Sequence, residues 1–169
     1  EQHYLNVTNV KFSPDGLYLV SGGMDNYIHL FTATGKHISK LDKMDDPITS
    51  LSFSPDSKIV VAMTEGKGEG QTFSVPNGEM LATFKAHDNT VLSSSVSPIM
   101  AFGSYQVASA GGNNNQILIW NPLSGRLSGI LNGDGMSVWN LAFSDSSKLL
   151  IGNSFDSKRF NYLFDFTSQ

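Results

Sequence analysis

The feature that most constrains the fold of this chain is a sequence pattern that occurs four times. Each copy has an apolar residue, two variable residues, an apolar or small residue, one variable residue, and then Phe or Val followed by Ser. The copies are VTNVKFSPDG (7–16), ITSLSFSPDS (48–57), VLSSSVSPIM (91–100) and VWNLAFSDSS (138–147). Their anchor residues are 41, 43 and 47 positions apart, and they are Phe12, Phe53, Val96 and Phe143.

A second anchor follows each first one, which indicates that the whole unit is repeated. It lies 19, 20, 24 and 21 residues downstream and is Phe31, Phe73, Trp120 and Phe164. Between the anchors comes an aliphatic, β-branched run bounded by Gly, Asp, Asn and Ser, which is typical of a strand between turns. A period in the forties built from short strands favours β-propeller blades. The sequence therefore predicts an all-β chain with four antiparallel blade-like units, at about residues 3–43, 44–86, 87–133 and 134–169.

Composition excludes several classes of partner. The 169-residue chain is 40% hydrophobic and has a net charge of -4 with no cluster of Lys and Arg, so direct binding of nucleic acid is not expected. It contains no cysteine, which removes disulfides and thiolate–metal sites and leaves the compartment open. No apolar run approaches the roughly 20 residues that span a bilayer, so no membrane insertion is expected.

The four units resemble the WD40 repeat, and the resemblance covers almost the whole chain. A family blade carries a loop His, a Ser or Thr in its second strand, an Asp in the next turn and a Trp-Asp that closes the third strand. The matching positions are His3, Ser21, Asp25 and Phe31 in the first unit, and His87, Ser109, Asn114 and Trp120 in the third. The resemblance implies that these residues form buried hydrogen-bonded networks. The Trp-Asp dipeptide itself is absent, since Trp120 is followed by Asn121.

The same residues also allow catalytic or metal-binding interpretations. His3, Asp25 and Ser21, or His87 and Ser109, could form a nucleophilic triad, although a framework role is strongly favoured. The four histidines, His3, His29, His37 and His87, show no ligand spacing, so neither a metal site nor a cofactor site is predicted.

Two loop motifs have similar alternatives. The glycine-rich loop at 66–70 lacks the Gly-Lys-Ser/Thr ending of a phosphate-binding loop and is interpreted as a hairpin connection. The acidic residues before the first strands could bind a cation, but solvated loop acids are the commoner explanation. They are Asp45, Asp46, Asp88 and Asp134.

The resemblance implies a partner-binding face formed by the loops before the first strands and by the first residues of those strands. The equivalent positions are Asn6, Thr8, Pro47, Thr49, Thr90, Leu92, Ser137 and Trp139. Trp139 stands out because large aromatic residues are enriched among interface hot spots. Packing of Trp139 against a neighbouring blade is the alternative.

The strand pattern also predicts an incomplete ring. Three units have four strands and the last lacks its outer strand, which makes 15 strands, whereas WD40 rings commonly have seven blades. We therefore expect the remaining blades to come from the same, longer chain or from another subunit. The expected function is a non-enzymatic scaffold or sensor that binds a protein or peptide.

Two alternatives to a simple scaffold remain. One is a ligand-binding or enzymatic propeller with a site in its central channel. The other follows from the fourth unit, with its Ser137-Val138-Trp139 start, which is similar to a late unit in bacterial propellers joined to a caspase-like peptidase or another effector.

Overall fold

The structure is a computed structural model that describes residues 2–98, 100, 103–111, 116–132, 137–144, 149–154 and 161–165. In the last two ranges the backbone is described. Asn114 and Asp134, which the sequence analysis singled out, lie outside the described residues.

Fifteen β-strands make up the regular structure of the described chain. They are β1 (Val7–Phe12), β2 (Tyr18–Gly23), β3 (Ile28–Thr32), β4 (His37–Lys40), β5 (Ile48–Phe53), β6 (Ile59–Thr64), β7 (Gly70–Ser74), β8 (Met80–Phe84), β9 (Val91–Val96), β10 (Val107–Gly111), β11 (Gln116–Trp120), β12 (Leu127–Asn132), β13 (Val138–Phe143), β14 (Leu149–Ser154) and β15 (Asn161–Asp165). Across the described ranges, no helix is long and apolar enough to cross a membrane.

The strands form four antiparallel sheets, each of which is a meander of consecutive strands. Blade one is β1–β4, blade two is β5–β8, blade three is β9–β12, and blade four contains the three described strands β13–β15. The predicted all-β class with blade-like sheets is therefore confirmed. Short, turn-bounded strands favour this topology because a tight turn can join only antiparallel neighbours.

The two anchors of each unit lie on opposite sides of the same second-strand residue. Phe12 pairs with Leu19, and Leu19 pairs with Phe31. The same register occurs in the other blades, through Val60, Val107 and Leu150. Since residues paired across a sheet project to the same face, the two anchors of a unit share one face of the blade.

The core lies between successive blades. Each blade has an upstream face, which packs on the preceding blade, and a downstream face, which packs on the following one. Val20 and Leu30 of blade one are buried against Leu51 and Phe73 of blade two. The next two clusters join blade two to blade three, and blade three to Val138 and Leu141 of blade four. Both faces of a middle blade are therefore apolar, which explains the nearly continuous burial of β6 and β10.

Candidate protein-interaction face

The inner strand of every blade contains an irregularity at the same place. In blades one, two and four the pairing with the second strand skips one residue after the first pair, and in blade three it skips one residue of β9. The skipped residues are Thr8, Thr49, Leu92 and Trp139. A β-bulge leaves its extra residue out of the ladder and redirects the side chain. These four residues are called the bulge positions below, and all four belong to the face predicted from the sequence.

The bulge threonines donate hydrogen bonds to strand carbonyls, mainly of their own sheet. Thr8 Oγ1 lies 3.1 Å from the carbonyl oxygen of Gly22 and 2.5 Å from that of Ile48. Its hydroxyl group donates to these two carbonyl oxygens. Thr49 Oγ1 donates to the carbonyl of Met63 at 3.1 Å. A hydroxyl can thus satisfy a carbonyl that faces the bulge, and this compensates for the local loss of ladder bonds.

Leu92 and Trp139 have apolar side chains and cannot make this hydrogen bond. Leu92 is half-buried, whereas 52% of Trp139 is exposed. Trp139 lies at a groove of about 510 Å³ whose described lining comes from the inner strands of all four blades. Of the two interpretations of Trp139 from sequence, exposure at a groove is compatible with partner contact.

Serine side chains join the inner strands that form the floor of the groove. The Ser94 hydroxyl lies 2.9 Å from the Ser50 hydroxyl and 2.8 Å from the Ser52 hydroxyl, and Ser94 N–H donates to Ser50 Oγ at 3.0 Å. Ser93 Oγ contacts Asn140 Oδ1 at 3.2 Å in the next blade. Small hydroxyl residues allow the strands to approach closely while satisfying polar groups, so the groove has a polar, hydrogen-bonded floor.

The remaining predicted face residues lie in the loops before the inner strands. Two of them brace neighbouring loops through their carbonyls: Asn6 accepts from Met24 N–H at 2.8 Å and Pro47 accepts from Glu65 N–H at 3.0 Å. Thr90 N–H donates to the side chain of Asn89 at 2.7 Å, and Ser137 is half-buried. Of these four, Asn6 is the most exposed.

Blade three contains a buried hydrogen-bonded group at the positions that the sequence analysis selected. The Trp120 indole N–H donates to Ser109 Oγ at 3.1 Å, and Ser109 Oγ lies 2.7 Å from His87 Nε2. Phe84, the last residue of blade two, stacks on Trp120 with ring centroids 4.6 Å apart. Burial lowers the pKa of His87 to about 4, so this imidazole is neutral at pH 7, and its Nε2 accepts from the serine hydroxyl in the tautomer that carries the proton on Nδ1.

Blade one contains a related group in which Phe31 replaces the tryptophan. His3 Nδ1 donates to Asp25, 3.0 Å from both carboxylate oxygens, and His3 Nε2 lies 2.7 Å from Ser21 Oγ. Burial raises the pKa of Asp25, but hydrogen bonds from His3 and from the N–H groups of Tyr27 and Tyr4 outweigh it and lower that pKa overall. The distances suit a nucleophilic triad, and Ser21 is buried, with 7% of its surface exposed.

A histidine pair on blade one was not anticipated from the sequence. His29 is buried, its Nδ1 lies 3.1 Å from His37 Nε2, and its ring packs edge-on against His3 at 4.5 Å. Burial lowers the pKa of His29 to about 4, and the nearby His3 and His37 make smaller contributions in the same direction. Sequence reasoning missed the pair because a register irregularity between β3 and β4 determines which residues are neighbours. No group of three or more potential metal-binding side chains occurs within the described ranges.

The acidic loops of blades two and three share a second hollow, of about 430 Å³. Asp45, Asp46 and Asp88 line it together with Lys67 and His87. At its edge Glu69 is buried and pairs with the exposed Lys85 at 3.1 Å. The lysines offset part of the acidic charge, so the hollow is a mixed polar surface.

Four-stranded meanders packed face to face, with inner strands aligned along a common groove, define the blades of a β-propeller. A family model described as "WD domain, G-beta repeat" matches residues 1–32 and 78–121. These two matched stretches support the assignment of the chain to the WD40 repeat family.

Similar proteins include longer WD-repeat chains. The Periodic tryptophan protein 2 homolog of Dictyostelium discoideum is 28% identical over 158 residues, which cover 91% of this chain and 17% of that protein. Actin-interacting protein 1 of Drosophila melanogaster is 25% identical over 171 residues, covering 99% of this chain and 27% of that protein. The WD repeat-containing protein 26 homolog of Drosophila melanogaster is 28% identical over 172 residues, covering 90% of this chain and 26% of that protein. The chain thus spans less than a third of the length of these relatives.

Proposed function

We propose that this chain is a non-enzymatic protein-interaction module that binds a protein or peptide segment at the bulge positions and the adjoining groove. The observation that carries the proposal is the 52% exposure of Trp139 at the groove, in a protein whose other tryptophan, Trp120, is buried. Tryptophan is enriched in interface hot spots, and at this position it lies beside a groove.

The chemistry of the groove supports binding of a neutral or polar segment. Its described lining consists mainly of serine, asparagine and apolar residues, with Lys11 as the one ionisable side chain. General acid–base or nucleophilic catalysis needs a titratable pair within hydrogen-bonding reach of a substrate. Serine hydroxyls and strand carbonyls instead suit a peptide, whose own polar groups can replace the water on the groove floor.

The relatives support a protein-binding role without specifying the partner. One similar protein is named for interaction with actin, which is a statement about that protein. A fold does not determine function, so the proposal rests on the groove and Trp139. The remaining blades, from the same polypeptide or another subunit, are part of this proposal and would extend the groove.

A display selection followed by one substitution would test the site. Peptides selected on the immobilised protein would be titrated against the unmodified chain, Trp139→Ala and the control Leu123→Ala, whose exposure of 53% matches that of Trp139. Loss of a hot-spot tryptophan costs roughly 2 kcal/mol, so Trp139→Ala should weaken binding by about thirtyfold. Leu123→Ala should have little effect. Equal affinity of the selected peptides for all three proteins would refute the proposed site.

A further inference from the structure

The inner strand of each blade has two backbone N–H groups that point away from its own sheet. In blade two, Ser54 N–H donates to the Ile59 carbonyl, so these residues form a hydrogen-bonded pair. Bonded and non-bonded pairs alternate along an antiparallel ladder, and every inner strand lies at an edge of its sheet. The N–H groups of Leu51 and Phe53 therefore point out of the edge of β5. By register, their equivalents are Val10 and Phe12 in blade one, Ser94 and Val96 in blade three, and Leu141 and Phe143 in blade four.

Serine hydroxyls of the preceding blade accept from three of these edge N–H groups. The bonds are Ser94 N–H to Ser50 Oγ (3.0 Å), Leu141 N–H to Ser93 Oγ (3.3 Å) and Phe143 N–H to Ser95 Oγ (3.4 Å). A hydroxyl group is both a donor and an acceptor, so it can satisfy the edge of the next inner strand. The serines of the groove floor thus take the place of a neighbouring strand.

At the boundary between blades one and two, a lysine stands where blade three has a serine. By register Lys11 corresponds to Ser95, and both line the groove. An ammonium group has three donors and no acceptor, so Lys11 cannot accept from Phe53 N–H. Asn9 also lines the groove here, and its described hydrogen bond is a donation from Nδ2 to the Thr49 carbonyl at 3.3 Å. Among the described residues of blade one, no side chain accepts from Phe53 N–H.

The ammonium group of Lys11 also has no acidic partner. Its side chain is exposed, and the described lining of the groove contains no carboxylate. The ion pairs among the described residues are those of His3 with Asp25 and of Lys85 with Glu69. An ammonium group and a backbone N–H on neighbouring inner strands are therefore two donors that lack an acceptor. Both kinds of donor form their strongest hydrogen bonds with a carboxylate.

We infer that Lys11 and Phe53 N–H bind the carboxylate of an Asp or Glu side chain in the segment that occupies the groove. Lys11 comes from blade one and Trp139 from blade four, so the segment lies over the serine floor and carries its acidic residue on the blade-one side. The carboxylate accepts from Phe53 N–H as the Ser95 hydroxyl accepts from Phe143 N–H. This inference rests on the proposed function, because it names the chemistry of the partner that the groove selects.

Peptide selection on matched variants would test the inference. Displayed peptides would be selected on the unmodified protein, on Lys11→Ser and on the control Lys36→Ser, which removes the same charge from an exposed position between β3 and β4. Selected peptides would be synthesised with blocked termini, so that side chains are their only carboxylates. For the unmodified protein and Lys36→Ser, an acidic residue should be selected at a fixed position, and its change to the amide should weaken binding at least about tenfold. For Lys11→Ser this change should have little effect, because the new hydroxyl can accept from Phe53 N–H.

Three results would overturn the inference and leave the proposed function standing. They are binding that depends on Trp139 without any acidic preference, an acidic preference that persists in Lys11→Ser, and binding that is lost when the peptide termini are blocked. In the last case the carboxylate would be that of a chain terminus.

If no peptide binds, the proposed function fails and a direct titration decides the inference. The protein would carry isotope-labelled phenylalanine, and the Phe53 amide resonance would be followed by nuclear magnetic resonance during addition of acetate or of the control acetamide. A saturable shift with acetate alone, absent in Lys11→Ser, would support a carboxylate site. An amide resonance that responds equally to both compounds, or to neither, would refute it.

Discussion

Ser109→Ala should destabilise the protein more than the corresponding change Ser21→Ala in blade one. Ser109 is fully buried and is the hydrogen-bond partner of the buried Trp120 indole and of Nε2 of the half-buried His87. Leaving one polar group without a partner costs about 1–3 kcal/mol, so the loss of both partners in Ser109→Ala should cost about 2–6 kcal/mol. Ser21 contacts His3 Nε2 alone within the corresponding group, and its loss should cost about 1–3 kcal/mol.

Chemical denaturation followed by circular dichroism would measure both costs. The deciding comparison is the effect of Ser109→Ala in a protein that also carries Trp120→Phe. That substitution gives blade three the aromatic residue that blade one has at Phe31 and removes the indole donor. In this background Ser109→Ala should cost about 1–3 kcal/mol less than in the unmodified chain, a coupling that a double-mutant cycle detects. A coupling below about 0.5 kcal/mol would refute the reasoning, because Ser109 would then not be satisfying the indole.

Two further predictions concern pH and backbone conformation. Because burial lowers the pKa of His87 to about 4, while an unfolded histidine titrates near 6.5, only the unfolded chain gains a proton as the pH falls from 7 to 5. This group should therefore remove about 2 kcal/mol of stability over that interval, and denaturation of His87→Gln at both pH values should lack this component. Gly35 and Gly125 both have positive φ, but a Cβ on Gly35 meets open space and one on Gly125 would lie 2.2 Å from the Thr83 carbonyl oxygen. Gly35→Ala should cost about 1–2 kcal/mol and Gly125→Ala clearly more, and equal midpoints in urea would contradict this steric argument.

Local pattern was enough to predict the strands and their grouping. The anchors pair across the sheet through a single residue of the second strand, so a shared register keeps them in phase while the length of the intervening turns varies. Period-two alternation and turn residues are local signals, because each depends on a few neighbouring positions. In this chain the same signals occur in all four repeats. The resemblance to the WD40 repeat selected His87, Ser109 and Trp120, and the structure brings these three side chains together.

The sequence by itself determined the all-β class, the repeat and the positions from which a binding face could be built. Only the tertiary structure decided that Trp139 is exposed at a groove, that Ser94 joins two serines of the preceding blade, and that His29 meets His37. It also decided that Val10 is exposed where its counterpart Leu51 is buried. The physical reason is that exposure and contacts between sheets depend on what covers each face, whereas the residue pattern of a strand records only that the face is apolar.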